Sequence, residues 1–205
     1  MTESERKQII ALIQREVIPA IGCTEPIAVA LCVAKATETL GAKPEKIKVL
    51  LSANILKNAM GVGIPGTGMI GLPIAVALGA LIGKSDYQLE VLKDSTPEAV
   101  EEGKKLIDEK RICISLKEDI TEKLYIEVTC EAGGEQATAI ISGGHTTFVY
   151  VAKGDEVLLN KQQTSGEEEK EETLELTLRK VYDFALTAPL DEIRFILETA
   201  RLNKK

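Results

Sequence analysis

The chain has 205 residues, of which 44% are hydrophobic and 28% charged, proportions that are ordinary for a globular protein. Its formal net charge of −7 argues against nucleic acids and anionic membranes as partners. Aromatic residues make up only 3% and Trp is absent, so the core must be built from Ile, Leu, Val and Ala. The first ten residues are polar and mixed in charge, which predicts a cytoplasmic protein without a secretory signal or disulfides.

Two helices are predicted before the first strand. Apolar residues recur at helical spacing from Glu3 to Val17. A second helix opens within the segment GCTEPI and continues to Leu40, where a glycine follows. Thr24 is its expected N-cap, and Glu25 and Pro26 are typical of a first helical turn.

The middle of the chain predicts a β-sheet. One strand, Ile47 to Ala53, precedes a glycine-rich stretch, and a helix is expected from Pro97 to Lys110. Four further strand candidates with short glycine-containing connections follow: Arg111–Lys117, Lys123–Cys130, Gln136–Ile141 and Thr146–Lys153. We therefore predict an α+β fold, in which an antiparallel sheet of four to five strands packs with helices, including a buried helix after the glycine loop.

The chain is expected to divide near its last third. Residues 1–161 are predicted to form the main α+β domain, and residues 162–172 a charged, solvated linker. Two amphipathic helices, Thr173–Leu186 and Pro189–Leu202, are predicted within residues 173–205. An amphipathic helix that ends without a cap expects a partner, so we predict a missing C-terminal half or a second subunit, with a homo-oligomer as one form of the latter.

The stretch from Ser52 to Gly83 carries seven glycines and, between Lys57 and Lys84, no charged residue. A phosphate cradle, a membrane segment and the floor of a small-ligand site are three interpretations. The letters GVGIPG match GxGxxG, but they do not directly follow a strand, and no GK[ST] closes the loop. The helical part, about 14 residues from Met69 to Ile82, is shorter than the roughly 20 needed to cross a bilayer. The small-ligand interpretation is therefore preferred.

Polar groups in this stretch provide the expected ligand contacts. Three side chains at its front edge suit a charge-assisted clamp: Asn54, Lys57 and Asn58. The backbone amides of the Gly66-Thr67-Gly68 segment precede the predicted helix and are expected to face a carboxylate. In the alternative interpretation the asparagines cap turns and the lysine is solvated.

The single histidine and one of the four cysteines are further candidates. His145 lies in a GGHTT loop between two predicted strands, a setting equally typical of a structural and of a functional histidine. Cys23 lies just before a helix N-terminus, whose partial positive charge is expected to lower the pKa of its thiol, as for a nucleophile or a metal ligand. Cys32 and Cys130 are predicted to lie in the core, and Cys113 is left unassigned.

Four motifs occur in order along the chain: GCTEPI at 22–27, NxxKN at 54–58, GVGIPGTG at 61–68 and HT at 145–146. With this combination the chain resembles the bacterial and archaeal L-cysteine desulfidases, which are related to the α-chain of iron–sulfur L-serine dehydratases. The resemblance covers nearly the whole chain, as the N-terminal portion of such an enzyme.

The resemblance implies an amino-acid lyase that carries out α,β-elimination with a [4Fe–4S] cluster, whose open iron acts as a Lewis acid on the leaving group. L-cysteine would give pyruvate, ammonia and sulfide, and L-serine pyruvate and ammonia; both substrates remain open. Cys23 matches a cluster ligand of the family, and Thr24 and Glu25 are placed at the substrate. The family's other two ligand cysteines lie in a C-terminal half that this sequence does not contain. Because one thiolate cannot hold a four-iron cluster, this chain alone is expected to be inactive.

The residue that removes the α-proton is not fixed by the motifs. His145 and Lys57 are the candidates, the latter only if it is buried, since a lysine must be desolvated to act as a base near neutral pH. The alternative function is a non-catalytic module that binds a small carboxylate, or another protein, through the same loop.

Overall fold

The computed structural model describes residues 1–161 and 175–204 of the chain. These residues form two compact units, one of residues 20–161 and one that joins residues 1–19 to residues 175–204. The predicted linker at 162–172 lies outside the described residues. Among the helices that are described, none combines the length and the apolar character needed to cross a membrane.

The described residues form helices and strands in both units. The helices are α1 (Glu3–Glu16), α2 (Thr24–Leu40), α3 (Ala53–Ala59), α4 (Leu72–Ile82), α5 (Pro97–Asp108), α6 (Leu178–Thr187), α7 (Leu190–Ile193) and α8 (Ile196–Leu202). The strands are β1 (Lys46–Leu51), β2 (Gly63–Ile64), β3 (Met69–Ile70), β4 (Ile112–Leu116), β5 (Tyr125–Ala132), β6 (Glu135–Ser142), β7 (Phe148–Lys153) and β8 (Glu156–Asn160). A 3₁₀ helix, Ser85–Glu90, follows α4.

The larger unit is built on a six-stranded sheet in the order β4-β1-β5-β6-β7-β8. All neighbouring pairs are antiparallel except β1 and β4, which pair in parallel with Ile47 opposite Ile112. A parallel pair needs a long crossover, and here α3, α4 and α5 provide it. The predicted α+β class is confirmed, but the sheet is mixed and has six strands instead of an antiparallel four or five.

Helices α2 and α4 form the centre of the core. Every residue from Ile27 to Ala34 is at most 1% exposed, because α2 lies between the sheet and α4. The thiol of Cys32 donates to the carbonyl oxygen of Ala139 at 3.3 Å, and Lys153 Nζ donates to that of Leu40 at 3.1 Å. The C-terminal end of α2 therefore lies beside the end of β7, and its N-terminus lies at the opposite end of the sheet, where β6 ends.

The smaller unit brings α1 together with the C-terminal helices. Arg6 forms an ion pair with Glu192 at 2.8 Å, and Lys180 pairs with Glu5 at 3.1 Å. The main domain predicted for residues 1–161 includes α1, whereas in this division α1 belongs with the helices that follow residue 175.

Several predicted boundaries differ from those observed. The strand predicted to reach Ala53 ends at Leu51, because α3 begins at Ala53. The helix predicted from Met69 begins at Leu72, since Met69 and Ile70 pair with β2. The helix predicted over Pro189–Leu202 is broken into α7 and α8, because the amide of Leu197 donates to a carbonyl three residues back and tightens the turn.

Candidate functional site

The N-terminus of α2 gathers polar side chains around one carboxylate. The Cys23 thiol donates to Glu25 Oε2 at 3.0 Å, and the Thr24 hydroxyl donates to the same oxygen at 3.2 Å. The other oxygen, Oε1, accepts from Asn58 Nδ2 of α3 at 3.3 Å. The expected N-cap, Thr24, is corrected to Cys23, whose extended backbone precedes the helix and whose side chain turns to Glu25 instead of to a backbone amide.

The pKa values of Cys23 and Glu25 show which of the two side chains carries a proton. Burial first, and then the hydrogen bond to the Glu25 carboxylate, raise the pKa of the Cys23 thiol above its ordinary value. Hydrogen bonds from Cys23, and to a smaller extent from Thr24 and Asn58, lower the pKa of Glu25. The expectation of a lowered Cys23 pKa is therefore wrong, because desolvation and a nearby negative charge outweigh the helix N-terminus. In the resting site Cys23 is a thiol and Glu25 a carboxylate.

Helix α3 presents the predicted clamp on one face. Asn54, Lys57 and Asn58 stand at positions i, i+3 and i+4, which share a side of a helix, and all three are exposed. Ser52, which precedes α3, is 1% exposed and donates its hydroxyl to the carbonyl oxygen of Lys123 at 2.9 Å. That bond fixes the start of α3 to the segment that leads into β5, an interior strand of the sheet.

A cavity of about 550 Å³ opens at the start of α3. Ser52 and Asn54 line one side, and residues 116–123, which comprise the end of β4 and most of its connection to β5, line the other. The cavity lies outside the carboxyl ends of the parallel strands β1 and β4, the position where open sheets of α/β proteins commonly bind ligands. Its size suits a small ligand such as an amino acid.

The glycine loop forms a hairpin instead of a helix start. The Thr67 hydroxyl donates to the carbonyl oxygen of Ile64 at 2.7 Å and accepts from the amide of Met69 at 3.0 Å. The Thr67 amide also donates to Ile64, at 3.2 Å. Gly66 and Gly68 have φ values of 77° and 66°, which explains glycine at both positions. The expectation that these amides open a helix is corrected, since α4 begins beyond β3 and the groups of Thr67 serve the turn.

The hairpin lies directly against the segment that carries Cys23. A Cβ built on Gly22 would lie 2.9 Å from Cγ of Pro65, so only glycine allows this approach. Together with the bond from Asn58 to Glu25, this contact makes neighbours of the GCTEP segment, α3 and the hairpin. The structure thus brings together the sequence motifs at 22–27, 54–58 and 61–68.

His145 lies in the loop between β6 and β7 and is half-buried. That loop is held by the amide of Gly143, which donates to the carbonyl oxygen of Leu124 at 3.2 Å. Ser52 donates its own amide to Tyr125, the next residue of the chain after Leu124. The loop therefore lies at the same end of the sheet as the starts of α2 and α3. The other base candidate, Lys57, is exposed and lacks the burial that a lysine base requires. Both catalytic roles stay predictions.

The cysteines do not form a metal centre within the described part of the chain. Cys32 and Cys130 are buried in the core and Cys113 is exposed on β4, which leaves Cys23 as the thiol of the candidate site. In residues 1–161 and 175–204, no group of three histidine, cysteine, aspartate or glutamate side chains is arranged to hold a metal ion. A four-iron cluster needs more ligands than Cys23 alone, so the described residues do not fit it.

The sequence interpretation missed the central position of Glu25. It placed Glu25 at the substrate, whereas the carboxylate joins Cys23, Thr24 and Asn58 to one another. The contact between Glu25 and Cys23 could have been expected from the sequence. Glu25 is the second residue of α2, and a side chain at that position can turn back toward the N-cap residue. The bond to Asn58, 33 positions away along the chain, has no such signal.

Comparison with known proteins finds relatives of similar sequence. The chain is 81% identical over 204 residues to a UPF0597 protein of Bacteroides thetaiotaomicron, covering all of this chain and 48% of that protein. It is 76% identical to a UPF0597 protein of Phocaeicola vulgatus and 49% identical to one of Porphyromonas gingivalis, covering 47% and 48% of them. The chain thus spans about half the length of these curated relatives. No protein-family model and no solved structure matches it.

These relatives correct the resemblance inferred from the sequence motifs. They match the whole chain, and their name, UPF0597 protein, refers neither to cysteine desulfidases nor to serine dehydratases. The GCTEP and GVGIPGTG motifs therefore do not establish membership of the L-cysteine desulfidase family. What they do mark is the pair of segments that meet at Gly22 and Pro65 beside the Glu25 carboxylate.

Proposed function

We propose that this chain provides the substrate-binding part of a longer cytoplasmic amino-acid lyase that carries out α,β-elimination on L-cysteine or L-serine. The observation that supports the proposal most is the Glu25 carboxylate, which accepts hydrogen bonds from Cys23, Thr24 and Asn58 beside the polar face of α3. Asn54 of that face also lines a cavity of about 550 Å³, a volume that suits a small zwitterion.

In this proposal each group has a distinct task. Asn54 and Lys57 bind the substrate carboxylate, by an amide hydrogen bond and by opposite charge. His145 accepts the α-proton as the bond between Cβ and the leaving sulfur or oxygen breaks. The Cys23 thiol, held in place by its hydrogen bond to Glu25, donates its proton to the leaving sulfur or oxygen, which departs as hydrogen sulfide or water. The proton taken up by His145 then restores the thiol. Aminoacrylate forms, and its imine is hydrolysed to pyruvate and ammonia.

The test uses a chimera in which this chain replaces the matching 204 residues of the Bacteroides thetaiotaomicron relative. The chimera, purified without oxygen, is given L-cysteine or L-serine, and pyruvate is measured with a coupled dehydrogenase. We expect pyruvate from the chimera, little from Cys23→Ser, and an unchanged rate from Cys113→Ser, which removes an exposed thiol outside the site. No pyruvate from either amino acid, or a full rate from Cys23→Ser, would refute the proposal.

A second candidate function is supported by the protonation of the site. Because Cys23 is a thiol at rest, hydrogen-bonded to Glu25, the site also suits a module that binds an amino acid without reacting with it. Calorimetry with the 205-residue chain and L-cysteine or L-serine separates the two functions. Binding that Asn58→Ala abolishes, in a chimera that makes no pyruvate, would favour the binding module.

A further inference from the structure

Helix α6 turns its apolar side outward. Its exposed apolar residues recur at positions i, i+3, i+4, i+7 and i+8, which place them on one face, here called the apolar stripe: Leu178, Val181, Tyr182, Ala185 and Leu186. Leu178 is 92% exposed and Leu186 67%. Phe184 is the residue of this helix that is buried, so the stripe is not the face that packs within its own unit.

The rest of the smaller unit adds to the apolar surface. Residues of α7, of α8 and between them line an open groove of about 740 Å³. Most of its lining is aliphatic or aromatic, including Leu190, Ile193 and Phe195. Exposed apolar patches of this extent on proteins commonly mark interaction sites.

We propose that the apolar stripe of α6 is the docking face for the remainder of the longer polypeptide that the curated relatives carry. This chain spans 48% of the Bacteroides thetaiotaomicron relative, so more than half of that polypeptide lies outside the matched segment. A covalently attached partner is present at an effective concentration of about millimolar, which favours it over a second copy. The inference rests on the proposed function only in placing this chain within a longer polypeptide.

The chemistry of the stripe defines what the remainder must offer. No charged side chain belongs to the stripe, and the neighbouring Arg179 and Asp183 pair with each other at 3.2 Å. An apolar helical face with this spacing binds another apolar helix or a groove, through anchors at i, i+3, i+4 and i+7. The docking segment is therefore an apolar helix or groove, not a charged surface.

The experiment compares thiol labelling in this chain and in the chimera described above. Leu178→Cys and Leu186→Cys introduce thiols into the stripe, and Thr187→Cys introduces a matched thiol on the opposite side of the same helix. Each is labelled with a maleimide, and peptide mass spectrometry resolves the modified sites. We expect both stripe thiols to react at least about tenfold more slowly in the chimera than in the 205-residue chain, with Thr187→Cys unaffected.

Each result of the labelling experiment either supports or overturns the proposed docking face. Equal labelling of the stripe thiols in chain and chimera would overturn it. Protection that grows with concentration of the 205-residue chain would assign the stripe to a second copy, which also overturns it. As a second measurement, Leu178→Glu with Leu186→Glu should lower the urea midpoint of the chimera but not that of the chain, where both positions are exposed. Labelling does not depend on catalysis, so a chimera that makes no pyruvate yet protects the stripe refutes only the proposed function.

Discussion

Gly79 of α4 packs directly against the backbone of α2, and its substitution tests the core that carries Cys23. A Cβ at this position would lie 2.6 Å from the carbonyl oxygen of Ala30 and 3.1 Å from its Cα. Both contacts are with backbone, so no side-chain rotation can relieve them. The Gly79→Ala substitution must therefore push apart two helices that are buried where they meet.

The magnitude follows from two opposing effects. Helix propensity by itself favours alanine over glycine by about 1 kcal/mol. Overpacking of a close-packed core costs about 1–3 kcal/mol, and a contact with backbone belongs at the upper end of that range. We therefore expect Gly79→Ala to lower the free energy of unfolding by about 1–2 kcal/mol, although propensity predicts the opposite sign.

Urea unfolding of the 205-residue chain, followed by far-ultraviolet circular dichroism, measures the effect. Gly61→Ala is the matched control, because a Cβ there meets no atom within 4 Å. The control should change the free energy of unfolding by no more than about 0.5 kcal/mol. A Gly79→Ala protein that is as stable as the parent, or more stable, would show that α2 and α4 do not approach each other in this way.

The remaining predictions concern the thiols. Under native conditions Cys113 should react rapidly with a thiol reagent, whereas the buried Cys32 and Cys130 react only on unfolding; burial raises the pKa of Cys130 to about 11. Rapid native labelling of either buried thiol would contradict the described core. In Glu25→Gln the negative charge beside Cys23 is lost, which lowers the pKa of that thiol, so alkylation at neutral pH should accelerate and its pH profile move to lower pH. An unchanged profile would contradict the hydrogen bond between them.

Elements with a strong local pattern could be predicted closely. Helix α2 was expected to end at Leu40, and it does so because Gly41 adopts φ 77°, the conformation that ends helices. Strands β5 to β7 followed from alternating apolar residues and glycine turns. Two elements escaped the same procedure. Helix α3 has only seven residues, about two turns, and β8 shows no alternation because four of its five residues are exposed.

The candidate site was predicted in part, since its segments were recognised but not their contacts. The NxxKN spacing already places Asn54, Lys57 and Asn58 on one side of a helix, although the sequence interpretation had no helix there. The turn bonds of Thr67 depend on the pairing of β2 with β3, and the local pattern indicated a helix start instead.

The sequence by itself determined the class of the fold, the course of its longer helices and strands, and the segments that carry candidate chemistry, because these depend on neighbours a few positions apart. The tertiary structure decided the rest. It paired β1 with β4 in parallel, set Pro65 against Gly22, and brought Asn58 to Glu25. It also reversed the expected direction of the Cys23 pKa, since desolvation and the approach of a carboxylate are properties of the folded surroundings and not of a helix start alone.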